Sequence, residues 1–264
     1  MKRSRLLDAF LPNRAVDAKT MGALIAFWTV VGLVLWVRSP FESLPRPMEV
    51  YRALRTLWWE QGLAPELFST MRLIGHALLV TVLISLALAY GTVFAFFRPL
   101  VEAASKLRFL GITGLVFPFT LVTGGGYHLK VALLTFGMTT FFVTSMAQVV
   151  LEVPRGELDH MRVLGASEGR IVYEVIIRGT LDKAMEVMRQ NIAMGWSMIT
   201  MIEGISRAEG GLGAMILNQN KHFHLDEVYA VLFVILGVGL ALDYAIGLLT
   251  RVLCPYAVMG RVTR

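Results

Sequence analysis

Long apolar stretches alternate with short polar ones along this chain. Residues 21–37, 73–97, 109–127 and 131–151 contain no Asp, Glu, Lys or Arg, and 228–250 is interrupted only by Asp243. A weaker stretch, 187–202, has Arg189 near one end and Glu203 just past the other. A helical crossing of a bilayer needs about 17–25 apolar residues, so the pattern predicts about six transmembrane helices. Lipid offers no partner for backbone N–H and C=O groups, which makes each span helical. The weaker ten-residue alternation of a β-barrel is not seen. The expected class is all-α, a polytopic membrane protein. The first apolar run is long and is followed by Trp36-Val37-Arg38-Ser39-Pro40 rather than by small residues, so it reads as a span and not as a cleaved signal. Trp28, Trp36, Trp58 and Trp59 suit interfacial anchoring.

The polar segments have characters of their own. Residues 1–20 form a basic tail. In 38–69, Pro40, Pro45 and Pro47 precede a surface helix expected from Met48 to Glu60. Residues 203–227 hold Gly210, Gly211 and Gly213. The longest, 152–186, reads as two short helices. Pro154 suits a first helical turn, and Leu158, Met161 and Leu164 follow at a spacing near three. Gly165 ends that helix, and Ser167 can cap the next, where Ile171, Val172, Val175 and Ile176 share a face. Glu168, Arg170, Glu174 and Arg178 occupy other faces. Periodicity allows a solvated amphipathic loop or a docking element, apolar inward and charged towards a partner.

Composition agrees with a membrane setting. Hydrophobic residues make up 56% and charged residues 17%, against about 25% charged in soluble domains, and the mean hydropathy is +0.63. With both termini inside, the internal segments hold roughly two-thirds of the Lys and Arg residues, which places the termini in the cytoplasm. The net charge of +6 therefore needs no nucleic acid to explain it. Cys254 is the sole cysteine, which excludes disulfides within the chain. His222, His224, Asp226 and Glu227 lack a third matched element for a metal site, and no metal site is expected. No nucleophile, base and oxyanion-donor set stands out, so no catalytic site is expected either. Asp243 within the last span costs about 2.5–3.5 kcal/mol on insertion scales, which favours a structural pairing over a gate. His128 and Lys130 either attract an anion or mark the membrane boundary, and the second is preferred.

Several motifs then fall into order. Asp159-x-x-x-x-x-Gly165-Ala166-Ser167, with Val175-Ile176-Ile177 ten residues on, resembles the coupling-loop signature of ABC importer permeases. The branch it is most similar to handles nitrate, sulfonate, taurine and bicarbonate. The stretch from Leu44 to Val50, the Ser69-Thr70-Met71-Arg72 start of the second span, Glu203 with Gly211-Leu212-Gly213, and Gly239 to Asp243 resemble further parts of that branch. Two positions depart from it: Asp159-His160-Met161 stands for Glu-Ala-Ala, and Arg178 stands for a closing Pro.

The resemblance implies a type I ABC importer permease fold. Residues 21–257 would form the transmembrane domain, with 152–186 as a cytoplasmic coupling loop and 258–264 as a C-terminal tail. It implies a second permease subunit (identical or not), two cytoplasmic ATPase subunits and an external substrate-binding protein. The Gly-x-x-x-x-Gly-Lys-Ser/Thr phosphate loop is missing, so ATP and Mg would belong to the partner ATPase, with no cofactor in this chain. Contacts to the ATPase are expected from Asp159, Arg162, Leu164, Gly165, Ala166, Ser167, Glu168, Arg170 and Glu174. Glu203, Gly211 and Gly213 are the expected external-loop residues. Thr140, Thr144 and Gln148, with Asn191, Ser197 and Thr200, are expected to line a path for a small polar solute, although such hydroxyls also bond their own helix. The alternative class is a self-sufficient secondary transporter, which needs several buried ionisable residues or repeated half-helices. The spans offer chiefly Asp243 and His76, with no repeat.

Overall fold

The computed structural model describes residues 17–41, 44–206 and 209–255. Residues 1–16 of the basic tail and the C-terminal tail at 258–264 lie outside them. Among the described residues the chain is all-helical, in chain order α1 (Ala18–Val37), α2 (Pro47–Trp59), α3 (Leu63–Gly91), α4 (Arg98–Lys106), α5 (Ile112–Thr123), α6 (Gly126–Leu151), α7 (Arg155–Val163), α8 (Glu168–Ile171), α9 (Leu181–Ile205), α10 (Leu212–Lys221) and α11 (Leu225–Leu253). A π-helical stretch, Val172–Arg178, joins α8 to the turn before α9.

Among the described residues, four helices are long and apolar enough to cross a membrane: α1, α3, α6 and α11. At 29 residues, α3 is about 44 Å long, ample for a hydrocarbon core of about 30 Å. The third expected span, 109–127, is not one straight helix. Phe109 closes a short 3-10 turn, the backbone extends at Leu110 and Gly111, and α5 then leaves at 115° to Ala95–Phe109. With 12 residues α5 is only about 18 Å long, and it stops where Gly124 and Gly125 adopt φ of 74° and 90°. The fifth expected span lies inside α9. That helix starts at Leu181 and carries Asp182, Lys183, Glu186 and Arg189 in its first third, so it does not reach the apolarity of the other four.

The bundle is organised around α6, the most enclosed of the spans. Its Leu129, Leu133, Leu134 and Met138 pack with Leu73, Ile74 and Ala77 of α3 and Trp196, Ile199 and Ile202 of α9. A Cβ on Gly195 would stand 2.6 Å from Met138 Sδ, so the missing side chain lets α9 approach α6 closely, as small residues do in membrane bundles. At the far end Phe142, Met146 and Val150 meet Ala89, Ile176, Ala184 and Val187. The surface helix α2 is capped by the Glu49 carboxylate, which accepts from Arg46 N at 2.7 Å. It buries Val50, Ala53 and Leu57 against Leu212, Ala230 and Val231. In contrast α1 is almost wholly exposed. It leans on the bundle through Trp36, whose ring stacks on Phe233 at 5.3 Å and whose Nε1 donates to Pro45 O at 3.0 Å.

Candidate coupling arm and translocation face

Residues 152–180 form an arm that projects from the ends of α6 and α9. Pro154 precedes α7 with extended backbone, and Leu158 rests against the Phe142 cluster. The helix ends as Gly165 takes φ +79°. Gly165 N then donates to Arg162 O (2.9 Å) and Ala166 N to Met161 O (3.1 Å), the paired bonds of a glycine-terminated helix end. A Cβ at Gly165 would meet nothing within 4 Å. The residue is therefore needed for its backbone conformation and not for a close approach. Ser167 stands at the start of α8, but its side chain makes no capping bond. The expected hydroxyl cap is absent, and only its carbonyl takes part, accepting from Ile171 N at 3.0 Å.

Three charged residues expected at the partner contact are paired with one another within the arm. Arg162 donates from Nη1 to Asp159 Oδ1 (2.8 Å), and from Nε and Nη2 to the two Glu168 oxygens (2.8 and 3.1 Å). A guanidinium fork matches a carboxylate in this way, and here it ties α7 to α8 across the glycine turn. The hydrogen bond from Arg162 holds the Glu168 carboxyl below the usual carboxylate range, and Glu168, followed by Asp159, pushes the Arg162 guanidinium upward. Glu174 pairs with Arg178 at 3.1 Å on the surface. The arm's apolar tip remains uncovered. Val163 and Leu164 are 86% and 67% exposed, with Arg170 and Ala166 beside them. Leu164 was expected at this contact, whereas Val163 was missed because it falls off the three-residue spacing of Leu158, Met161 and Leu164.

At the opposite ends of α6 and α9, Glu203, Gly211 and Gly213 come together in a buried knot. Glu203 is 1% exposed. Its Oε1 accepts from Thr70 Oγ1 and its Oε2 from Gly213 N, both at 2.7 Å. Thr70 Oγ1 in turn accepts from Leu212 N at 2.9 Å, and Glu66 accepts from Gly211 N. Lys130 is also buried, and its Nζ donates to Gly210 O at 2.8 Å. It fastens the loop to α6. A Cβ on Gly211 would collide with the Glu203 carboxylate, and one on Gly213 with the Thr200 backbone. Glu66 and Lys130 were missed as members of this knot, since nothing in apolar periodicity links residues on three different helices.

The proposed path residues divide. Thr140 Oγ1 donates to Gly137 O (2.9 Å), Thr144 Oγ1 to Thr140 O (2.7 Å) and Ser197 Oγ to Met194 O (2.7 Å). These hydroxyls bond their own helices, and Thr140 faces the core. Asn191 is different. Its Nδ2 donates to Met138 O at 3.0 Å while its buried Oδ1 has no partner, and it borders a cleft of about 60 Å³ with Phe141, Ser145, Gln190 and Met194. Gln190, Ala193, Met194, Ser197 and Met201 are exposed at helical spacing along α9. That stripe and exposed Gln148 of α6 form an open face, with Thr200 half-buried beside it. Asp243 is held by Arg189 Nε at 2.7 Å, the structural pairing expected. Of the two histidines before α11, His222 Nδ1 lies 2.8 Å from Asn218 O and His224 Nδ1 lies 3.8 Å from Glu227 Oε2.

Comparison with known proteins agrees with this architecture. No family model matches the chain. The taurine transport system permease protein TauC of Escherichia coli K12 is 25% identical over 247 residues, covering 90% of this chain and 88% of that protein. A probable ABC transporter permease protein of Brucella melitensis is 25% identical over 204 residues, 76% of this chain and 82% of its own length. The bicarbonate transport system permease protein CmpB of Synechocystis is 23% identical over 121 residues, 43% of each chain. Among solved structures, a chain of the MetNI methionine ABC transporter in inward-facing conformations superposes with a TM-score of 0.62 at 16% identity, covering 75% of this chain and 97% of that one. The fold is thus shared with a transporter subunit, and the sequence is related to permeases over most of its length. This multi-pass, all-helical membrane protein is similar to ABC transporter permease proteins over most of its length.

Proposed function

We propose that this chain carries a small polar solute across the membrane and takes its driving force from a separate ATPase through the arm at 152–180. The observation that carries this reading is the tip of the arm. The Arg162 fork closes the turn from within and leaves Val163 and Leu164 uncovered. An apolar knob on a charged, self-braced support is suited to a groove on another protein. Two ATPase subunits, each holding ATP and Mg, would receive the arms of two permease subunits, and an external binding protein would deliver the solute. Both termini lie in the cytoplasm on this reading, with residues 21–257 forming the transmembrane domain.

The open face of α9, with Gln190, Ser197 and the unsatisfied Asn191 Oδ1, is the proposed path lining together with Gln148. Relatives named for taurine and bicarbonate make small anions the first solutes to try. The ion pair of Asp243 with Arg189 removes the chief intramembrane carboxylate from gradient-driven transport, so the secondary-transporter alternative gains no support. The test is to purify the complex with its ATPase in mild detergent, alongside variants Val163→Asp and Leu164→Asp. The permease should remain folded while the variants lose ATPase chains and uptake together. Full retention of both would remove the arm from the mechanism.

A further inference from the structure

Between α8 and α9 the chain does not wind as an α-helix. Residues Val172–Arg178 form a π-helix of seven residues, a winding that is rare and occurs mostly as single turns, often at functional sites. Burial supplies a physical reason for it. Ile171 and Ile176 are 1% and 6% exposed and stand five residues apart. On a 3.6-residue helix, positions five apart point about 140° away from each other. Hydrogen bonds from i to i+5 bring them back towards one face, so the π winding lets both isoleucines enter the bundle. The end of the segment is fixed with equal care. The Val175 carbonyl packs where a Cβ of Gly179 would stand. Thr180 is buried, its Oγ1 donates to Ile176 O at 2.6 Å, and Tyr90 OH of α3 lies 3.4 Å from Thr180 Oγ1. Arg178 stands where a closing proline is expected from the resemblance, so the chain keeps a backbone N–H there that a proline would remove.

We infer that this π segment sets the rotational phase of the arm's tip relative to α9, with Thr180 and Tyr90 as its positioning residues. Shortening the five-residue interval to four restores α spacing, and the tip then swings about the helix axis while both isoleucines stay inside. This inference rests on the coupling role proposed for the arm. Its geometric half, however, is measurable in the permease alone.

The experiment places spin labels at Ser167→Cys and Glu102→Cys in a Cys254→Ala background and measures the distance between them in nanodiscs. Deletion of Tyr173 should displace the distance by about 5 Å, on the scale of one helical pitch. Thr180→Val should broaden it, and Thr180→Ser, which keeps the hydroxyl, should restore it. In the assembled complex, deletion and Thr180→Val should each raise the ATP hydrolysed per solute about tenfold, within the usual range of coupling between sites. An unchanged distance in both variants overturns the phase assignment, whatever the ATPase does. An altered distance with unchanged coupling overturns the positioning role. A complex that forms without any contribution from the arm tip, scored with Leu164→Asp, would instead sink the coupling role alone.

Discussion

Two glycine-broken turns lie at opposite ends of α6 and α9, and they use charge in opposite ways. At the Glu203 end, a buried carboxylate and a buried lysine bind backbone groups of the loop. At the Gly165 end, the ion pairs lie on the surface and serve only to brace a projecting apolar tip. One turn is built to be fixed to its own bundle, and the other to be offered to something else. The desolvated knot should govern stability. The solvated arm should govern assembly and coupling with little effect on stability.

The largest effect is expected at the knot. Glu203→Ala leaves Thr70 Oγ1 and the buried Gly213 N–H without their acceptor and should cost about 1–3 kcal/mol for each group left unpaired, read as a lowered melting temperature of the purified chain. Thr70→Val removes the relay to Leu212 N and should cost about 1–3 kcal/mol by the same measurement. If either protein melts like the parent, the knot is not the stabilising end. Ser167→Ala sharpens the other side of the comparison. An N-cap serine is ordinarily worth about 1 kcal/mol, but this one makes no capping bond, so a change under about 0.5 kcal/mol is expected.

The smallest effect concerns acidity at the arm. The Glu168 carboxyl is held low in the folded chain by its bond to Arg162, so the clamp is fully present above the ordinary carboxylate value of 4.5. It is lost as pH falls through the lowered value. A mobility probe near Gly165 should therefore stay unchanged from neutral pH down to that range and loosen only below it. The groups are exposed and screened, and global stability should not follow the same curve.

Much of this was legible in the sequence, for identifiable reasons. Gly165 was readable because a glycine after an amphipathic run needs only local chemistry, and its φ of +79° follows. The Asp243 pairing was readable because an intramembrane carboxylate must find a partner. What escaped was non-local or depended on backbone detail. The bond of Lys130 was not readable because its acceptor, Gly210 O, is 80 residues away in sequence. The extended backbone at Leu110 and Gly111 cut one apolar run into a bent element, which hydropathy cannot register. For Thr140 and Thr144 the sequence left open a polar lining or hydroxyls bonded to their own helix, and the structure shows those bonds. The pairing of Arg162 with Asp159 and Glu168 across the glycine turn was also not read from the sequence.

The most direct test of the coupling role is photo-crosslinking from Val163 in the assembled transporter in native membranes, with a second probe at Phe96 as a surface control. Adducts with the ATPase chain should form from Val163 and not from Phe96. Adducts with lipid, or none with any protein, would contradict entry of force at this tip.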